Sequence, residues 1–124
     1  MLYLDTHVVV WLYAGQVERF TAAGRRLLEA EPLFVSPVVS LELEYLRETK
    51  RITVGASPIL ASLARSIGLT TCECPFADVV TESLRLGWTR DPFDRLIVGQ
   101  ALARDAALLT RDSSILHHYA RACW

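Results

Sequence analysis

Lysine is nearly missing from this sequence: of 13 basic residues only Lys50 is a lysine, and all the others are arginines. Against 14 acidic residues this leaves a net charge of −1, so no chain-wide positive field gathers nucleic acid. Charge alone neither indicates nor excludes RNA, because arginine's planar fork suits phosphate and carboxylate alike. Cysteine is scarce too. Cys72, Cys74 and Cys123 are odd in number and form no C-x-x-C, which argues against a disulfide framework or a zinc knuckle and fits a reducing cytoplasm. No apolar run reaches the roughly 18 residues of a membrane span. The opening MLYLDTHVVVWLYAG is cut by Asp5 and has no basic leader. Repeats, low-complexity tracts and long linkers are also missing. The chain therefore reads as a single cytoplasmic domain, residues 1–124, with no membrane anchor.

What is present is apolar residue in quantity, 52% of the chain against 22% charged, enough for a substantial core. The apolar periodicity switches repeatedly between strand-like and helix-like, the mark of an α/β protein. Short buried strands are expected at LYL (2–4), LFVS (33–36), LTTCEC (69–74) and AALLT (106–110), with a closing edge strand in ARACW. Cys72 and Cys74 alternate onto one face of the third strand and are read as core. The helical patterns run Thr6–Ala14, Phe20–Ala30, Pro37–Glu48, Ser57–Ile67, Phe76–Leu86, Pro92–Arg104 and Ser113–Tyr119. Ser36-Pro37, Ser57-Pro58 and Asp91-Pro92 each set a capping oxygen before a proline at the first helical position, where a missing amide costs nothing.

Ligands of open parallel sheets bind beyond the carboxyl ends of the strands, and acids fall there. Asp5 ends the first strand, Asp91 and Asp94 open a long helix, and Asp112 follows the fourth strand. At 100° per residue, Glu42 lies near the centre of the apolar stripe of its helix and points inward, whereas Glu44 falls on the solvated side. Asp94 shares a face with Ile97, Val98 and Ala101, so it needs a partner. Arg95 or Arg104 could pair with it, or a cation could. Four acids on one sheet edge favour the cation, and oxygen ligands without a His or Cys cluster select Mg²⁺ or Mn²⁺. Hydrolysis of a phosphodiester by cation-activated water, with no covalent intermediate, is the reaction such a site suits.

The segments YLDTHVVVWLYAG, VSPVVSLELEYL, RDPFDRLIVGQALA and LLTRDSSI, in this order and spacing, resemble PIN-domain ribonuclease toxins of the VapC type over nearly the whole chain. The resemblance implies a three-layer α/β/α fold around a mostly parallel sheet of four to five strands. It further implies metal-dependent endoribonuclease activity on RNA, homodimerisation, and inhibition by a VapB-type antitoxin. Carried over position by position, the family's acidic quartet falls on Asp5, Glu42, Asp94 and Asp112, as catalytic residues and metal ligands. Asp91 belongs to the DPFD form of the motif, either as a ligand or as the helix cap.

Thr6, Ser36 and Thr110 match hydroxyl positions beside the acids, where they could orient a carboxylate or a water, or simply cap helices and end strands. Arg90 and Arg95 flank the acidic motif, as RNA phosphate contacts or as structural ion pairs. Two positions depart from the family: His7 stands where a small polar residue is frequent, and Gly99 where alanine is common. A lone histidine in a first helical turn is read as structural or surface, Trp11 and Tyr13 as core or dimer packing, and His117 and His118 as solvated. The competing functions are a PIN nuclease for RNA processing or structured nucleic acid outside a toxin–antitoxin pair, and a non-catalytic PIN binding module. A phosphatase of the haloacid-dehalogenase type would require aspartate at position 7, and a receiver domain a late strand-end lysine. Neither is present.

Overall fold

Leu2–Leu4 is apolar at every position, which suits a strand covered on both faces, and all three residues are buried. In the computed structural model, which describes residues 1–124, this strand (β1) is the centre of a five-stranded sheet. The others are β2 (Leu33–Val35), β3 (Thr70–Thr71), β4 (Ala107–Leu109) and β5 (Ala122–Cys123). Their order is β3-β2-β1-β4-β5 and every pairing is parallel, with Leu2 beside Leu33 on one side and beside Ala107 on the other. The expected α/β sheet is present, including the closing edge strand.

The helices are α1 (Thr6–Tyr13), α2 (Ala22–Ala30), α3 (Val38–Glu48), α4 (Ala56–Ile67), α5 (Phe76–Ser83), α6 (Pro92–Ala103) and α7 (Ser113–His118). From β1 the chain winds outward to β3, then returns to β4 and continues to β5. Right-handed crossovers put the helices of the outward and return paths on opposite faces of the sheet, giving three layers. The direction reverses between β1 and β4, so the crevice at their carboxyl ends is the switch point where such sheets bind ligands. None of the helices is long and apolar enough to cross a membrane.

Three local expectations differ. The third strand pairs only over Thr70–Thr71 and Cys72 lies past its end, although the Cys72 amide still donates to Val35 O at 2.9 Å. Cys72 is buried, and its sulfur accepts from Tyr3 Oη at 2.8 Å, while Cys74 is half-buried. The second helix starts at Ala22, because Thr21 caps it by accepting from the Gly24 amide at 3.0 Å, and Phe20 precedes it in the core. Helix α4 starts one residue before Ser57, and Ser57 does not cap it. Instead Glu44 reaches across from α3 and accepts from the Ala56 amide at 2.7 Å.

Glu44 is therefore a tertiary cap rather than a free surface acid. Its carboxyl is held below the usual range by that amide first and by the Arg47 guanidinium second. A depressed carboxyl pKa contributes stability that is present above the unfolded value and lost as pH falls through the folded one. Glu44→Ala is accordingly expected to lower the melting temperature near neutrality. The deficit should vanish in acid, as thermal melts from pH 7 down to pH 3 will record.

Candidate active site

The switch-point crevice is a cleft of about 260 Å³ lined by ten residues, among them Asp5, Thr6, His7, Glu42, Asp94 and Asp112. The four acids of the quartet thus meet in one place, from four different elements. Asp5 enters as the residue after β1 and the cap of α1, its Oδ1 accepting from the Thr6 amide at 2.7 Å. Glu42 comes from the second turn of α3 and Asp94 from the first turn of α6. Asp112 caps α7, accepting from the Ile115 amide at 2.9 Å.

A single hydroxyl ties two of these acids together. Thr110 is fully buried at the end of β4; its Oγ1 donates to Asp5 Oδ2 at 2.7 Å and accepts from the Asp112 amide at 3.0 Å. Of its two possible roles, orienting the acids is the one its bonds serve. Ser36, also buried, accepts from the Val38 amide at 3.3 Å and so acts as a helix-start residue. Asp91 is the cap of α6: its Oδ1 accepts from the Phe93 amide at 2.8 Å and the Asp94 amide at 3.2 Å, and the residue is exposed.

The two candidate phosphate arginines are engaged elsewhere. Arg95 donates to the carbonyls of Ser83 and Leu84 at the end of α5, where a cation complements the helix dipole, and Arg90 donates to Gly87 O at 2.7 Å. Neither pairs with an acid of the cleft. Arg104 is no partner for Asp94 either, because it sits beside Met1 and Tyr3 at the amino edge of the sheet.

The quartet consequently carries unrelieved like charge. Burial first, then the charges of Asp91, Asp5, Asp112 and Glu42, pushes the Asp94 carboxyl up to about 7. Burial also raises Glu42, with Asp5 and Asp91 adding to the effect and the neighbouring Thr6 hydroxyl partly offsetting it. That hydroxyl, Thr6 Oγ1, is buried and makes no hydrogen bond of ordinary geometry.

His7, read from the sequence as structural or surface, lines the cleft beside Asp5. Its Nε2 accepts from the Arg111 amide at 2.9 Å, which leaves the proton of a neutral ring on Nδ1, facing Asp5 Oδ2 at 3.6 Å. Burial holds its pKa below the ordinary histidine value despite Asp5 and Asp112. The bond partner lies 104 residues away, so no local pattern could have signalled it.

The residues suit a hard divalent cation. The donors are all oxygen, their mutual repulsion is unrelieved, and Thr6 Oγ1 is an orphaned polar atom in the same cleft. As placed, no three acidic, histidine or cysteine side chains form a ready cage. Mg²⁺ does not require one, since it is typically held by one or two carboxylates and keeps several waters.

A parallel α/β sheet with a cleft at its switch point places the chain in the open α/β class whose ligands bind there. The model of the PIN domain matches residues 2–122, and the chain belongs to that family. A chain of the crystal structure of VapBC2 from Rickettsia felis, bound to a DNA fragment from its promoter, has a similar fold. The TM-score is 0.65 at 20% sequence identity, covering 94% of this chain and 92% of that one. No curated protein matches the sequence.

Proposed function

We propose that this PIN-domain protein is a metal-dependent endoribonuclease, the toxin of a type II toxin–antitoxin pair, and that it hydrolyses RNA phosphodiester bonds with Mg²⁺ or Mn²⁺. PIN domains are in general nucleases. The observation that carries the reading is geometric: Asp5, Glu42, Asp94 and Asp112 line one cleft with no arginine or lysine paired to any of them, and burial together with the neighbouring acids raises the Asp94 carboxyl to about 7. Such a cluster is costly unless a ligand offsets it.

Asp5, Glu42, Asp94 and Asp112 would hold the cation. When bound, it supplies positive charge that acidifies water and stabilises the developing charge at phosphorus. Thr110 keeps Asp5 and Asp112 in fixed relation, and the amides of Thr6 and Ile115 each hold one carboxylate oxygen. His7, neutral and bonded to the Arg111 amide, seals one wall of the cleft.

The VapB-type partner is supported by the fold likeness to a VapBC2 chain and by the cleft's own charge, to which a basic partner side chain is complementary. Leu41, Tyr45, Phe76 and Leu84 stay exposed and offer apolar surface for an antitoxin or a second copy. The purified, partner-free protein should cut RNA with Mg²⁺ or Mn²⁺ and stop on addition of EDTA. Cleavage undiminished by chelation would overturn the mechanism.

A further inference from the structure

The acidic cleft continues into a second, open recess of about 350 Å³ lined by His7, Trp11, Arg111 and Asp112. Three of these residues also line the cleft itself, so the two spaces share a wall. That wall is aromatic. His7 and Trp11 lie 4.8 Å apart between ring centroids, and Trp124 meets Trp11 edge-on at 5.7 Å. All three rings are half-buried, so each presents a free edge or part of a face to solvent.

Two cations border the wall. The guanidinium of Arg19 lies 4.8 Å from the centre of the Trp11 ring, and that of Arg111 lies 5.9 Å from the centre of the Trp124 ring. Both side chains are exposed and neither forms a salt bridge with an acid. Arg111 is one residue from Asp112 and lines the same recess, yet it forms no salt bridge with a carboxylate and lies 5.9 Å from the Trp124 ring centre. A cation that leaves adjacent acids unneutralised remains available to an anion from outside.

We infer that this recess is a positioning site for the unpaired nucleotide next to the scissile phosphate, with Arg111 taking its phosphate and the His7–Trp11 edge packing against its base. The inference rests on the nuclease reading for what happens in the cleft, and it assigns residues that reading does not use. Base–aromatic contact tolerates any base, because every base has a π-face, but it requires an unpaired one, since the faces of paired bases are covered by their neighbours. The negative cleft repels a polynucleotide backbone, and an adjacent arginine on a rigid turn offsets that repulsion where the strand must pass. The backbone of Arg111 is fixed by its amide, which donates to His7 Nε2 at 2.9 Å, while its guanidinium is exposed.

The test is binding, followed by anisotropy of a fluorescein-labelled single-stranded RNA with Ca²⁺ in place of Mg²⁺, on Arg111→Ala, Arg111→Lys and Trp11→Phe. Arg104→Ala, on the opposite edge of the sheet, is the control. Arg111→Ala should bind roughly tenfold more weakly and lower the slope of log affinity against log salt by about 0.7, the value for one phosphate contact on a single strand. Arg111→Lys should restore the slope and part of the affinity. Trp11→Phe keeps a ring in the core and should weaken binding less, with no change in slope. If Arg111→Ala matches Arg104→Ala in both affinity and slope, the recess is not a positioning site, even if chelation-sensitive cleavage is intact. If the wild type binds with this Arg111 dependence but never cleaves, the recess stands and the nuclease reading falls.

Discussion

Asp94→Asn should melt no lower than the wild type without metal, gain much less from Mg²⁺ or Mn²⁺, and lose nearly all cleavage. The substitution preserves size and the amide that donates to Asp91, and it removes one charge from a cluster that repels it. No arginine or lysine pairs with Asp94, so no cation is stranded. The pH dependence has a definite sign. With the folded carboxyl at about 7 and an unfolded value of about 3.9, the folded state holds a proton between those values that the unfolded state has lost. The metal-free wild type should therefore lose stability as pH rises from about 4 to 7, by roughly 1–2 kcal/mol after discounting for partial exposure, and stay level above that. Asn should remove this slope. Metal requires the deprotonated carboxylate, so its stabilisation of the wild type should grow through the same range. At about 100 times its dissociation constant, a metal adds roughly 2.7 kcal/mol, a shift on the order of 10 °C for a domain of this size. Melts of both proteins from pH 4 to 8, with and without Mg²⁺, will separate a ligand from a structural acid. A metal response that survives in Asp94→Asn would count against the ligand role.

Gly99→Ala has the second large expected effect, and it comes from packing. Helices α5 and α6 touch where Gly99 faces Ser83, and an added Cβ would lie 2.9 Å from the Val79 carbonyl oxygen and 3.2 Å from Ser83 Cβ, besides striking the Ser83 hydroxyl. That hydroxyl is itself placed, 2.7 Å from Val79 O and 2.9 Å from Arg95 O, so it cannot swing away freely. Overpacking of this kind costs about 2–3 kcal/mol, which should lower the melting temperature by roughly 10 °C. Because Asp94 lies on α6, pushing that helix off α5 also moves a cleft carboxylate. A displacement near 1 Å can reduce rate about 100-fold. Ser83→Ala in the same background should recover part of both losses. If Gly99→Ala melts like the wild type, the close helix contact is wrong.

The resemblance to PIN-domain toxins implies alanine at this position, which made the glycine read as a mild departure. Its reason is a neighbour 16 positions earlier, the serine whose hydroxyl takes the space a methyl group would need. The same distinction separates what could be read in the sequence from what could not. Asp5 and Asp112 were legible because each comes just after a short apolar strand and caps the next helix, which places it at the carboxyl end of the sheet. Glu42 was legible from helical phase, and its half-buried, raised carboxyl agrees with an inward side chain. Glu44 was correctly placed on the solvated side by that same reasoning, but helical phase could not show that it caps a helix across an irregular turn. Arg95 has a likewise tertiary role: its helical phase is visible, but the carbonyls it serves end a different helix. Local chemistry predicts the element and the face, whereas partners at long range appear only once the elements are packed.

The Thr110 hydroxyl joins residues 105 positions apart. During synthesis, Asp5 leaves the ribosome early, but it gains this donor only when β4 has emerged and docked beside β1. Until then the chain has two of its acids on unconnected segments and no switch-point crevice. An incomplete nascent chain therefore lacks the assembled cleft. Ribosome-bound truncations ending before β4 should lack divalent-ion protection against proteolysis, which would appear abruptly once α7 clears the exit tunnel. For a protein proposed to destroy RNA, this late assembly separates translation of the message from the first moment at which the product could attack it.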